Sequence, residues 1–327
     1  MPDWSPIHAQ VHQVLRSRRL LERQQSILAA VSGGQDSLCL LKLMQDLQPR
    51  WGWRVGVIHC DHQWRSDSRA NAQFVQEWAA ATGQVHLCRA AVAPPSEAAA
   101  RTWRYDCFRQ VALEHGYGAV VTGHTASDRA ETLLYNLMRG CGSDGLGALQ
   151  WSRVLGDAPP VVTLVRPLLG LDRSDTAQFC QDFQLPIWQD STNHDRRYQR
   201  NRIRLDLLPY LEAQFNPQVV RHLAQTAELW QGDVEYLEDQ ARQSRAHLQQ
   251  GNALDRSGLK QLPLALQRRV IRQFLQEHLP HPPNFDQVDK VLSLVDAGNR
   301  SQSDPFPGGT IALVKDAWII LQQTGQG

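Results

Sequence analysis

The chain has 327 residues, 42% of them hydrophobic, a formal net charge of +1 and six cysteines. That length can hold two domains and bury a substantial core. The balanced charge excludes a global attraction to nucleic acid, so any such contact must come from a local patch.

No apolar run approaches the length of a membrane span, and the polar, Arg-rich N-terminus lacks a secretory pattern. A cytoplasmic protein is expected. Lysine occurs only at 42, 260, 290 and 315, so nearly all basic residues are arginines. Arginine suits bidentate phosphate contact, although codon bias explains the same preference. The cysteines at 39, 60, 88, 107, 141 and 180 form no CxxC pair. Most are expected as buried thiols in a reducing compartment, not as a zinc or iron–sulfur site.

In chain order, residues 1–25 predict a helix with Val11, Val14, Leu15 and Leu20 on its apolar face. Strands are then expected at 26–31, 54–60, 84–90, 119–123 and 161–165. Helices are expected at 36–48, 67–82, 96–115, 127–139 and 173–184. This alternation predicts βαβ units, hence an α/β fold with a doubly wound, mainly parallel sheet. In such sheets ligands bind beyond the carboxyl ends of the strands.

The first strand runs into Ser32-Gly33-Gly34-Gln35-Asp36-Ser37. Adjacent glycines permit a sharp turn with uncovered amides, and the helix behind them adds a positive dipole end. Together they make a phosphate site, with the Ser32 and Ser37 hydroxyls as further donors. A Walker loop would place Lys where Asp36 stands. A carboxylate beside a polyphosphate implies a bridging cation, so Asp36 points to Mg²⁺-bound nucleotide. A plain capped strand–helix turn is the alternative.

The second strand ends in His59-Cys60-Asp61-His62-Gln63-Trp64-Arg65. Asp61 and His62 suit substrate positioning better than zinc, since no further ligand of suitable spacing follows. On the helix expected over 96–115, Arg101, Arg104 and Tyr105 share one face, either solvated or turned to a nucleotide. After the fourth strand, His124, Asp128 and Glu131 are spaced i, i+4 and i+7. They could move protons or hold Mg²⁺. Alternatively Ser127 or Asp128 caps the helix, with Glu131 in the capping-box role. Residues 190–204 carry five arginines from Arg196 on, interleaved with Tyr198 and Asn201 and preceded by His194. That mixture suits looped or single-stranded RNA, or else a charged helix face.

From Asn216-Pro217 the alternation stops. Leu223, Ala227, Trp230, Val234, Leu237 and Ala241 mark a long amphipathic helix. Helices at 262–279 and 284–297 follow, then a hairpin over 310–321. Two domains are expected, 1–215 and a smaller, mostly helical 216–327.

Seven motifs run in order: SGGxDS at 32–37, His-x-Asp-His-x-x-Arg at 59–65, Arg-x-x-Arg-Tyr at 101–105, Thr-Gly-His…Asp-x-x-Glu-Thr at 122–132, Arg-Gly…Gly-Leu-Gly at 139–147, Arg-Pro-Leu at 166–168 and Asp-Ser-Thr-Asn…Arg-Asn-x-Ile-Arg at 190–204. On these the chain resembles the bacterial tRNA(Ile)-lysidine synthetases of the PP-loop superfamily. One departure is that Thr125-Ala126-Ser127 precedes Asp128 where the family often has His-Ala-Asp-Asp, so a carboxylate is absent.

The resemblance implies a two-step ligase. ATP adenylates the wobble cytidine of a CAU-anticodon tRNA(Ile), and free L-lysine then displaces AMP. It implies Ser32–Ser37 as the ATP loop, Asp36, Arg104, His124 and Asp128 as catalytic, and Asp36 as a Mg²⁺ ligand. Asp61, His62, Arg101 and Glu131 would position substrate. Arg196, Arg197, Arg200, Asn201, Arg202, Arg204 and the C-terminal domain would grip tRNA. The lysine pocket stays open between Asp61, Glu131 and Asp190, and a homodimer is compatible with the chain. The rivals are another PP-loop tRNA-modifying or amidating ligase and a non-catalytic RNA-binding paralogue.

Overall fold

A computed structural model describes residues 4–64, 66–80, 85–90, 92–156, 159–189 and 195–324. Arg65, Asp190 and His194, named above, lie outside them. The chain divides into two compact units, 1–141 with 148–228, and 142–147 with 229–327.

The first unit opens with α1 (Pro6–Ser17), shorter than the helix expected over 1–25. Ser5 caps it with Pro6 at its first position, and Arg19 takes a left-handed φ of 51° just beyond its end. The alternating elements follow: β1 (Ser26–Ala30), α2 (Gln35–Trp51), β2 (Arg54–Asp61), α3 (Ser68–Ala79), β3 (Val85–Arg89), α4 (Glu97–His115), β4 (Ala119–Thr122) and α5 (Ala126–Met138). The short α6 (Ser143–Leu146) belongs to the second unit. Next come β5 (Ser152–Leu155), β6 (Val162–Val165), α7 (Arg173–Asp182), α8 (Gln199–Arg202), a π-turn over Ile203–Leu207 and α9 (Leu208–Gln214).

The sheet order is β3-β2-β1-β4-β6-β5. All pairings are parallel except that of β5 with β6. The sequence pattern did not indicate β5, whose residues are mostly uncovered on an edge strand. The central strands are buried on both faces, as the unbroken apolar runs of Ile27–Ala29 and Ala119–Val121 require. The winding reverses between β1 and β4, so the loops after these two strands flank one crevice.

The long α10 (Val219–Leu248) carries the chain into the second unit, with the division falling inside this helix. There β7 (Gln249–Gln250), β8 (Ala253–Asp255), α11 (Arg256–Gln261), α12 (Leu264–His278), α13 (Phe285–Ser293), β9 (Thr310–Lys315) and β10 (Trp318–Gln323) follow. The expected C-terminal hairpin is present as β9–β10, but β8 pairs along β10 and β7 along β8. The result is a four-stranded antiparallel sheet with Val270, Ile271, Phe274 and Val291 buried in the core it shares. Three or more strands with an apolar face are needed for a stable sheet, which a lone hairpin would lack. Among the described residues no helix is long and apolar enough to cross a membrane.

Candidate active site

The turn between β1 and α2 is held by its own serines. Ser37 Oγ donates to Gly34 O at 2.8 Å and accepts from Ser32 N at 3.2 Å, and Ser32 Oγ accepts from Gly34 N at 3.3 Å. Gly33 has a φ of +88°, and a Cβ there would sit 2.8 Å from Asn71 Nδ2, so any other residue would be strained. Gly34 caps α2 without a side chain. Among the described residues, the only atom within 4 Å of an added Cβ at Gly34 is Ser32 Oγ at 3.5 Å, which leaves the amide edge open to a ligand.

Across the crevice, Gly123 follows β4. A Cβ on it would lie 2.6 Å from Asp36 O and 3.1 Å from Ser37 N. This glycine lets the end of β4 close on the first turn of α2. Next, Thr125 caps α5 in a reciprocal capping box. Asp128 Oδ2 accepts from Thr125 N at 2.8 Å, and Thr125 Oγ1 accepts from Asp128 N at 3.4 Å. The cap is therefore Thr125, not Ser127 or Asp128, and Asp128 takes the box role expected of Glu131. Ser127, where the family often has a carboxylate, accepts from Arg173 N at 3.2 Å and so ties α7 to α5.

Capping leaves Glu131 free for another task. It is 3% exposed, and Arg204 clasps it with two hydrogen bonds of 2.6 and 2.7 Å. Arg204 also lies 3.7 Å from Asp128 Oδ1. Arg173, at the start of α7, pairs with Asp36 Oδ2 at 3.1 Å and reaches Glu131 Oε1 at 3.9 Å. Thr176 donates its hydroxyl to Asp36 Oδ1. Gln35 Nε2 donates to Thr176 Oγ1 and to Arg173 O, both at 2.8 Å. Three carboxylates and two guanidiniums from α2, α5, α7 and the π-turn thus form one network beside the glycine turn.

Burial sets the ionisation here. Loss of solvent raises the Asp36 carboxyl above its ordinary range, with Arg173 opposing and Asp128 adding to the rise. Burial likewise raises Glu131 against the pull of Arg204. For Asp128 burial acts upward too, but Arg173, the Thr125 amide and Arg204 outweigh it and hold the carboxyl low. Burial pushes His124 down to about 3, so its imidazole is neutral near pH 7. His124 Nδ1 lies 2.9 Å from Thr122 Oγ1, and Arg166, Arg101 and Arg104 are all within its electrostatic reach.

The other expected site residues have different surroundings. Asp61 is buried, accepts from Gln63 N at 2.8 Å and pairs with Arg89 at 3.3 Å. His62 packs among Trp64 and Trp103, with ring centroids at 5.4 and 5.0 Å. Among the arginines of the RNA-like stretch, Arg196 pairs with Asp206 at 3.1 Å and Arg197 with Asp195 at 2.7 Å. Arg200 lies 3.8 Å from Glu97 and over Tyr135, Asn201 donates to Asp195 O at 2.9 Å, and Arg202 is exposed. Arg204 alone turns into the network.

Arg173, Thr176, Gly123 and Arg166 were not singled out from sequence as site residues. Arg173 did carry a signal, since a cation at a helix N-terminus opposes the dipole and implies a carboxylate partner. Arg166 is 1% exposed and donates to Gln150 O at 2.6 Å. Burial lowers its guanidinium to about 10, and Tyr105 opposes this.

The cysteines divide. Cys39 and Cys180 are buried, as expected. Cys60, Cys88 and Cys107 converge, with their sulfurs all within 4.8 Å of one another.

Residues 5–211 match the PP-loop domain family, and residues 248–321 match the TilS-like substrate binding domain. A curated relative from Nostoc sp., named tRNA(Ile)-lysidine synthase, is 54% identical over 98% of this chain and 97% of its own length. Another from Synechococcus sp., with the same name, is 48% identical over 98% of this chain and 97% of its own. Among solved structures, the U34-tRNA thiolase NcsA from Methanococcus maripaludis superposes with a TM-score of 0.57 at 14% identity. That match covers 69% of this chain and 80% of the thiolase, a likeness of fold.

Proposed function

This chain belongs to the tRNA(Ile)-lysidine synthase family, and on that premise we propose that the β1–α2 turn, the start of α5 and the start of α7 form its ATP-splitting centre. The enzyme is an ATP-dependent ligase that forms lysidine on tRNA(Ile). In our reading, the C2 carbonyl oxygen of the wobble cytidine in a CAU anticodon attacks the α-phosphate of ATP, and pyrophosphate leaves. The ε-amino group of free lysine then attacks C2, the C2–O bond breaks and AMP departs.

The open amides of Gly33 and Gly34 and the hydroxyls of Ser32 and Ser37 would receive the pyrophosphate. Arg101 and Arg104, near His124, would offset charge developing on the α-phosphate. Neutral His124 would orient the adenylated base through hydrogen bonding and not by carrying charge. Asp128 Oδ1, the carboxylate oxygen least engaged within the network, would face the incoming lysine. Asp61 and Glu131 are less suited to that task because each is already paired. Their role, with His62, would be to hold the walls of the crevice.

Mg²⁺ fits this donor set. Asp36 and Asp128 are electrostatic neighbours with oxygen ligands, and Mg²⁺ typically takes one or two carboxylates plus substrate phosphates. When bound it would neutralise phosphate charge, while Arg173 stays paired with Asp36 and Arg204 stays beside Asp128.

Residues 1–215 would carry the catalysis and 216–327 would grip tRNA, helped by the exposed Arg196, Arg197 and Arg202. The cytoplasm is the compartment we assign, since the substrates are tRNA and free amino acid. The observation that carries this reading is the meeting of Asp36, Asp128, Glu131, Arg173 and Arg204 beside an amide-lined turn.

The test is to incubate the protein with ATP, Mg²⁺, labelled lysine and unmodified CAU-anticodon tRNA, then digest the tRNA to nucleosides. Label in a single modified cytidine, with one pyrophosphate released per event, is expected. Label entering only from another amino acid, or none with active ATP cleavage, would overturn the reading.

A further inference from the structure

Three cysteines distant in sequence meet on one face of the sheet. Cys60 on β2 and Cys88 on β3 are direct register partners in the parallel ladder, so their side chains emerge side by side. Cys107 comes from α4, which packs Phe108, Val111 and Ala112 into the core on that face. The three sulfurs lie within 4.8 Å of one another, and all three residues are partly exposed. Thiolates bound to one tetrahedral metal at about 2.3 Å are about 3.8 Å apart, so a small adjustment of side-chain torsions is enough.

Packing does not require this arrangement. Cysteine behaves as a small hydrophobe in a core, and any one of the three could be alanine or valine for that purpose. Three elements each contributing a sulfur at ligand spacing, with a route to solvent, make a ligand set. Charge agrees with it. Three thiolates around a divalent ion leave one net negative charge, and Arg104 is close enough to Cys60 to interact electrostatically.

We propose that Cys60, Cys88 and Cys107 bind one soft, thiophilic metal ion of the Zn²⁺ type, with a fourth coordination position open to water. Three sulfur ligands select zinc or cuprous copper over Mg²⁺, which keeps this site distinct from the phosphate-side carboxylates. The metal clips β2, β3 and α4 together. Asp61 directly follows Cys60, and Arg104 lies one helical turn before Cys107, so the clip fixes the β2–α4 wall of the crevice.

The experiment uses the full-length, reduced, metal-stripped protein with Co²⁺ as a spectroscopic probe and Zn²⁺ as competitor. One Co²⁺ per chain is expected, with the intense thiolate-to-cobalt charge-transfer absorption, displaced by one equivalent of Zn²⁺. Bound Zn²⁺ should protect Cys60, Cys88 and Cys107 from iodoacetamide, read by peptide mass mapping, and leave the labelling of Cys141 unchanged. Cys107→Ser should weaken Zn²⁺ binding by more than the about 10–100-fold that loss of a supporting hydrogen bond costs a metal site. Cys141→Ser should bind as the parent does.

Absence of the charge-transfer band in the parent protein would overturn the proposal. So would protection that misses any of the three thiols, or Zn²⁺ affinity retained in Cys107→Ser. Because the protection pattern is read on the parent protein, a variant that fails to fold does not rescue or sink the idea.

Discussion

Arg204 and Arg197 stand seven residues apart in one arginine-rich stretch, yet they live in opposite environments. Arg197 is exposed and pairs with Asp195 two residues away. Arg204 crosses to α5 and clasps Glu131, a carboxylate 3% exposed and 73 positions distant in sequence. Arg204 lies within the π-turn over Ile203–Leu207, whereas Arg197 precedes α8. An arginine run is therefore not one functional unit. Part of it joins the buried carboxylate network, and part of it stays on the surface.

The largest effect that would break this comparison concerns the inner network. Asp36→Ala is expected to abolish pyrophosphate release, a loss of at least about 100-fold, while a tRNA gel-shift stays unchanged. Lost tRNA binding with intact ATP chemistry would reverse the two regions. Arg204→Ala should come next. It strands Glu131 in a buried setting and should cost about 3–5 kcal/mol in urea unfolding, whereas Arg197→Ala should leave the unfolding midpoint where it is. Equal midpoints for the two variants would erase the distinction.

Gly123→Ala tests whether the crevice needs its close backbone approach. The added methyl meets the Asp36 carbonyl and should cost about 1–3 kcal/mol. Pyrophosphate release should fall further than stability alone explains, measured well below the unfolding temperature.

The outer region is sharpened by replacing Arg196, Arg197 and Arg202 together with glutamine. tRNA affinity should drop, and the slope of log affinity against log salt should flatten by about one for each phosphate no longer neutralised. Adenylation with saturating tRNA should be near normal, and an unaltered slope would make these residues plain surface.

The smallest expected effect is a null in a pH titration. With its pKa held at about 3 by burial, His124 is neutral on both sides of pH 7, so its imidazole NMR signal should not move between about pH 5 and 8. The neutral form lies above the pKa, so only strong acid should charge it. A midpoint near the ordinary 6.5 would mean that the pocket is wetter than its packing indicates.

The α/β class, the parallel strands and the glycine turn between β1 and α2 were legible in the chain itself. Each rests on local physics: apolar runs buried on both faces, glycines at a strand–helix junction, and caps at helix starts. SGGxDS announced a sharp strand–helix turn because Gly33 and Gly34 and the helix after them are contiguous. Local reading also misassigned the α5 cap, since Thr125, Ser127 and Asp128 can all cap and only the backbone decides between them.

Partnership across the fold was not legible. Asp36 on α2 meets Arg173 on α7, and Glu131 on α5 meets Arg204 in the π-turn, only because the fold brings elements far apart in sequence together. The absent CxxC argued against a metal site, yet Cys60, Cys88 and Cys107 come together through strand register and helix packing. Spacing in sequence reports on residues that share one turn or loop, and is silent about residues that share a sheet face. The sequence by itself determined which chemistry was present, because residue type and local backbone preference are properties of short segments. The tertiary structure decided which charges neutralise one another and which stay exposed, because burial and distance are properties of the whole fold.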